Sequence, residues 1–80
     1  MELLFELMND YNYELIEYGD NTIKYEDLEL DEVVSESLET CIKRFIESLK
    51  HEMNFFDDKE VREMFEQKIN ILNKLMLDKR

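Results

Sequence analysis

Apolar residues recur at steps of three and four over the middle of the chain. Val34, Leu38, Cys41/Ile42, Phe45, Leu49 and Met53 form one stripe at 3.6 residues per turn, which predicts a helix over 31–54. Asp31 or Ser35 is its candidate N-cap. Glu32, Glu36 and Glu39 then fall on the face opposite the stripe. A second helical stripe runs Val61, Met64/Phe65, Ile69, Leu72 and Leu75/Met76. Its start is marked by Asp57 as N-cap, Glu60 three residues on, and Phe56 placed to staple Val61. Met64, Ile71, Leu75 and Leu77 widen this stripe beyond one partner helix. Core packing is the expected use of the excess, with a partner or dimer surface as the alternative.

Upstream the pattern changes. Residues 2–10 give a short helix from Leu4, Leu7, Met8 and Tyr11, with Asn9-Asp10 as a stop. Residues 12–26 alternate: Tyr13, Leu15 and Glu17 against Glu14, Ile16 and Tyr18. Gly19-Asp20-Asn21 then breaks the run, and Thr22, Ile23, Lys24 and Tyr25 favour a strand. This predicts a β-hairpin that must lie against the helices. Residues 26–30 either extend its second strand or serve as a connector. The expected fold is α+β: a short N-terminal helix, an antiparallel hairpin, and two longer amphipathic helices packed on it, in one domain over 1–80.

Composition adds limits. The 80 residues include no Pro and one Gly, with 44% hydrophobic and 39% charged residues, which suits a packed helix-rich domain. Cys41 is the sole cysteine, on the apolar face, where a thiol acts as a small hydrophobe and a reducing compartment is expected. The first six residues lack a basic leader, and no apolar run approaches the ~18 residues of a membrane span. A cytoplasmic location in a bacterial host follows as an expectation, with no membrane contact.

Charge changes the picture more. Net charge is −11. Residues 1–42 hold 13 acids and one base, for −12; residues 43–80 hold 8 acids and 9 bases, for +1. Such a field repels nucleic acid and steers the protein toward basic surfaces. Lys43, Arg44, Lys50, Arg62 and Lys68 are balanced by Glu47, Glu63 and Glu66, and read as ion pairs at helical spacing. Catalytic and metal-binding spacings are missing: one histidine, His51, lies in a solvated stretch, and there is no Gly-rich phosphate loop. No cofactor is expected, and an enzyme is disfavoured. What remains is an acidic surface on rigid elements, with candidate residues Asp20, Asp27, Glu29, Asp31, Glu32, Glu36, Glu39, Asp57, Asp58, Glu60 and Glu63. Carboxylates set in a row can occupy a site built for phosphates. The partner is then a basic nucleic-acid-binding protein, met by a monomer or homodimer. The alternative is an acidic interaction module, of antitoxin, immunity or regulatory type, bound to a basic protein without competing with DNA. Charge reversal at Glu36 or Asp57 is expected to weaken binding, and changes at Lys74 or Lys79 to do little.

Val34-Ser35-Glu36-Ser37, then Glu39-Thr40-Cys41-Ile42-Lys43-Arg44-Phe45-Ile46, then Ser48-Leu49-Lys50 and Asn54, with one gap after Ser37, resemble the second helix of a family of small phage anti-CRISPR proteins. These are the Listeria-prophage type that blocks type II-A Cas9. Phe55-Phe56-Asp57-Asp58-Lys59-Glu60 resembles the acid-rich start of that family's last helix, and Met8-Asn9-Asp10-Tyr11 its passage into the sheet. The resemblance implies an α+β fold and an acidic DNA-mimicking face that covers the PAM-reading region of guide-loaded Cas9. PAM reading uses arginines, which carboxylates can engage in bidentate pairs. Glu36, Glu39, Asp57, Asp58 and Glu60 carry over as acidic positions. Lys59 and Arg62 interrupt the acidic run, and the sheet reads as shorter by a strand or with a reduced connecting loop.

Overall fold

In the computed structural model, which describes residues 1–78, the element order is α1 (Glu2–Asp10), β1 (Tyr13–Tyr18), β2 (Thr22–Asp27), β3 (Glu32–Ser37), α2 (Leu38–Met53) and α3 (Lys59–Asp78). Lys79 therefore lies outside the described residues. The fold is α+β, with helices on one face of a three-stranded antiparallel sheet in the order β1-β2-β3. No helix among the described residues is long and apolar enough to cross a membrane.

The sheet has one strand more than the expected hairpin, and it takes that strand from the expected central helix. Residues 32–37 pair with β2 from Asp27↔Glu32 to Thr22↔Ser37. Val34 and Leu38 stand four apart, so the segment fits a helical stripe. It also fits a strand, with Val34 and Glu36 inward and Val33 and Ser35 outward. Pairing decides between them: without β3, β2 would be left with a row of unpaired backbone groups, and Val33-Val34 suits a pleated surface. Helix α2 starts at Leu38, capped by Ser37, whose hydroxyl accepts from the Thr40 amide at 3.1 Å. Neither Asp31 nor Ser35 caps it.

Residues 28–31 form the β2–β3 turn. Asp27 Oδ1 accepts from the amides of Glu29 (3.0 Å) and Leu30 (3.2 Å), and Asp31 sits at φ 55, a region that Asp tolerates. In β1 the register shifts between Leu15 and Glu17, so Ile16 and Glu17 together oppose Lys24. This bulge turns Tyr18 to the helix side, where its ring lies 5.2 Å from Phe5. Strict alternation would have sent it outward.

The core gathers Leu4, Leu7 and Met8 from α1, Ile23 and Tyr25 from β2, the α2 face from Leu38 to Leu49, and Ile69 and Leu72 from α3. Cys41 is among them, fully buried. Helix α3 is capped one residue later than expected: the Glu60 amide donates to Asp58 Oδ1 at 2.9 Å. Phe56 stacks on Phe65 of α3 at 5.6 Å. Arg62 reaches back to donate to the carbonyls of Met53 (3.2 Å) and Phe56 (3.1 Å), fixing the α2–α3 turn so that Asp58 meets the helix start. Of the widened α3 stripe, Leu75 packs on the core, while Met64, Ile71 and Leu77 stay exposed. Core packing therefore takes only part of that excess.

Candidate acidic interaction surface

Antiparallel connections sort the turns into two ends. The β1–β2 turn and the start of α2 meet at one end, where the Leu38 amide donates to the Asn21 carbonyl at 2.8 Å. The end of α1 meets the β2–β3 turn at the other. There the Leu28 amide donates to the Asn12 carbonyl at 2.9 Å, and Asn12 Nδ2 to Glu29 Oε1 at 3.1 Å. Helix α2, about 24 Å long at ~1.5 Å per residue, carries the chain back to this second end. Its arrival is marked by Tyr11, whose hydroxyl donates to Glu52 Oε2 at 2.8 Å. Helix α3 then returns, and Met76 lines a recess with Asp20, Ser37, Leu38 and Glu39.

The candidate acids divide accordingly. Asp27 at the end of β2, Glu29 and Asp31 in the β2–β3 turn and Glu32 at the start of β3 share the second end with Asp57 and Asp58 of the α2–α3 turn and Glu60 in the first turn of α3. Glu63 follows in the first turns of α3. Asp20 and Glu39 lie at the opposite end. The structure therefore does not bring all eleven together, and Glu32, Glu36 and Glu39 do not share a helix face, because the first two stand on β3.

Several of these carboxylates have internal work. Glu36 is the most engaged: its side chain is 10% exposed, Oε1 accepts from the Tyr25 hydroxyl at 2.6 Å, and Oε2 pairs with Arg44 at 2.8 Å. Glu39 pairs with Lys43 at 3.3 Å along the helix, and Lys50 with Glu47 at 3.9 Å. Helical ion pairing was expected of the basic stripe, yet Arg44 crosses to the sheet and Arg62 holds carbonyls instead. Asp31, Glu32, Asp57, Glu60 and Glu63 are exposed.

Burial raises the titration of groups around this framework. Desolvation first, then the hydrogen bond to Glu36, pushes the Tyr25 hydroxyl well above its ordinary range. Tyr11 is raised in the same way by burial and by Glu52. The Cys41 thiol is pushed up to about 12, by desolvation and then by the nearby Glu36 charge. A thiol held protonated is a packing group, not a nucleophile.

Apolar side chains accompany the acids at the second end, and the sequence pattern did not single them out as surface. Phe55 is 75% exposed, Phe56 42%, Leu30 66% and Leu28 51%. The signal available was their position: each follows the last periodic residue of an element, and Leu28, Leu30 and Phe56 border Asp or Glu. His51 stands edge-on to Phe55 at 5.3 Å. The outer sheet face is uncovered too, with Glu14 directly opposite Glu26, a like-charge pair that weakens a sheet. Among the described residues no cluster of His, Cys, Asp or Glu is placed to hold a metal ion.

No protein-family model matches the chain, and neither the curated proteins nor the solved structures yield a match.

Proposed function

We propose that this protein is a stoichiometric inhibitor that occupies the nucleic-acid site of a basic, DNA-binding enzyme by presenting carboxylates in place of phosphates. The observation that carries the reading is the placement of two acid-bearing connections at the same end of the molecule, both tied to the end of α1 through Asn12 and Tyr11. Asp31 in the β2–β3 turn and Glu32 at the start of β3 supply one set; Asp57 in the α2–α3 turn and Glu60 in the first turn of α3 supply the other. Both turns are held by side-chain hydrogen bonds: Asp27 on one, Arg62 and Asp58 on the other. Rigid carriers lower the ordering cost of binding. The exposed Phe55 and Leu30 beside them favour a protein partner, since aromatic anchors ringed by charge suit a protein interface.

The sequence resemblance names guide-loaded Cas9, at its PAM-reading region, as the first target to test. Asp57, Asp58 and Glu60 of the resemblance remain on the proposed face. Glu36 and Glu39 leave it, because one is committed to Tyr25 and Arg44 and the other lies at the far end.

The test is an order-of-addition assay. Protein added before PAM-bearing DNA should block DNA binding, while target already holding DNA should resist it, with a steep loss of inhibition as salt rises. Asp31→Lys and Asp57→Lys should each weaken inhibition by about tenfold or more, while Lys74→Ala leaves it unchanged. Binding that ignores DNA would refute mimicry.

A further inference from the structure

Helix α3 turns one face to the core and leaves the other uncovered. Met64 and Ile71 are 58% and 47% exposed, seven residues apart. Glu60, Met64, Gln67, Ile71 and Lys74 are all exposed and succeed one another at steps of four, three, four and three. That is the spacing of the seam in a two-helix coil. The seam is also chemically self-complementary about its middle. An acid stands at one end and a base at the other, with an apolar residue on either side of a central amide.

We infer that α3 pairs with α3 of a second copy of this chain, antiparallel, about a two-fold axis at Gln67. Reversal sets Glu60 against Lys74 of the partner subunit at both ends and Met64 beside Ile71 of the partner subunit. The two Gln67 amides, each both donor and acceptor, can bond one another. A parallel pair would instead set acid against acid and base against base, which disfavours it. The charge distribution selects the same surface. Residues 59–78 carry four acids and four bases, for zero net charge, while residues 1–42 carry −12. A second copy is tolerated at α3 and repelled along the acidic half. Two apolar positions per helix make a contact below the ~1,200 Å² of a standard interface. The dimer is therefore weak, and stronger at moderate salt, which screens two molecules of −11 each. The inference does not rest on the inhibitory role.

Sedimentation velocity on the intact protein, from micromolar to about 1 mM, should show the mass rising toward a dimer, more so at moderate salt. Met64→Glu should keep the protein monomeric. Glu60→Lys and Lys74→Glu should each weaken association about tenfold, and the two together should restore it. Mild oxidation should link Gln67→Cys to itself. Glu60→Cys should not self-link, since its copies stand ~20 Å apart at ~1.5 Å per residue, but should link to Lys74→Cys when the two are mixed. The native Cys41 is fully buried and stays out of this chemistry. Circular dichroism confirms the fold of each variant. A monomer throughout the range overturns the inference, as does a charge swap without rescue, or equal self-linking at positions 60 and 67.

Discussion

Replacing Glu36 by Ala should destabilise the protein by about 2–4 kcal/mol. The Tyr25 side chain is fully buried, and its hydroxyl has Glu36 as partner at 2.6 Å. A hydrogen bond to a charged group contributes roughly 1.5–3 kcal/mol, and an orphaned buried donor costs roughly 1–3 kcal/mol, overlapping terms that are not summed. The Arg44 pair adds less. Arg44 is 49% exposed, and exposed pairs contribute about 0.2–1 kcal/mol. A domain of this size holds only about 4–12 kcal/mol at ~0.05–0.15 kcal/mol per residue, so the loss is a large share of the total. Urea unfolding followed by circular dichroism reads it directly. At a slope of ~1 kcal/mol per molar, the midpoint should fall by about 2–4 M. Tyr25→Phe should cost less, about 1–2 kcal/mol, because Glu36 keeps Arg44 and some solvent. The double variant should cost less than the sum of the singles, with a coupling of at least ~0.5 kcal/mol. A Glu36→Ala midpoint within error of the parent, or strictly additive losses, would refute the account. The same geometry predicts that charge reversal at Glu36 weakens partner binding through the fold, with the melting temperature falling in parallel.

Stability should also decline in alkali. Burial, and then the Glu36 charge, push the Cys41 thiol in the folded chain up from the ordinary thiol value to about 12. Tyr11 and Tyr25 are raised above 10.0 by burial and their glutamate partners. These groups stay protonated longer when folded, so their contribution is complete below pH 9, begins to fall between 9 and 10, and continues to fall above. Melts that are flat from pH 8 to 11 would contradict this; Cys41→Ala should delay the onset. At the start of α2, Ser37→Ala should cost about 1 kcal/mol through the lost cap, whereas Ser35→Ala, on the open sheet face, should cost little. Comparable losses at both positions would place the helix start elsewhere.

The amphipathic part of α2 was legible because its stripe from Leu38 to Leu49 becomes the buried face. The hairpin was legible from its breaker, Gly19-Asp20-Asn21. The third strand was not, because a six-residue segment containing Val34 and ending beside Leu38 satisfies both periods. Its choice rests on β2, ten residues upstream, which no local pattern reports. The acids were legible as a count and not as an arrangement. Glu36 looks like any surface glutamate until pairing with β2 sets it beside Tyr25. Asp57 and Asp58 are equally able caps, and a side chain four residues on, Arg62, settles the turn that chooses between them.

The order of the elements along the chain is close to their order in space. Strand β1 packs with β2, β2 with β3, α2 with α3, and α1 with β1. Chief among the departures is the contact of α1 with α3, which joins the first element to the last. Most contacts can therefore form after closing short loops, each at small entropic cost. Chains with such local connectivity fold in about milliseconds or less. A molecule this acidic thus spends little time with its apolar faces open, and the α1–α3 contact, whose loop is longest, is the natural last step to close.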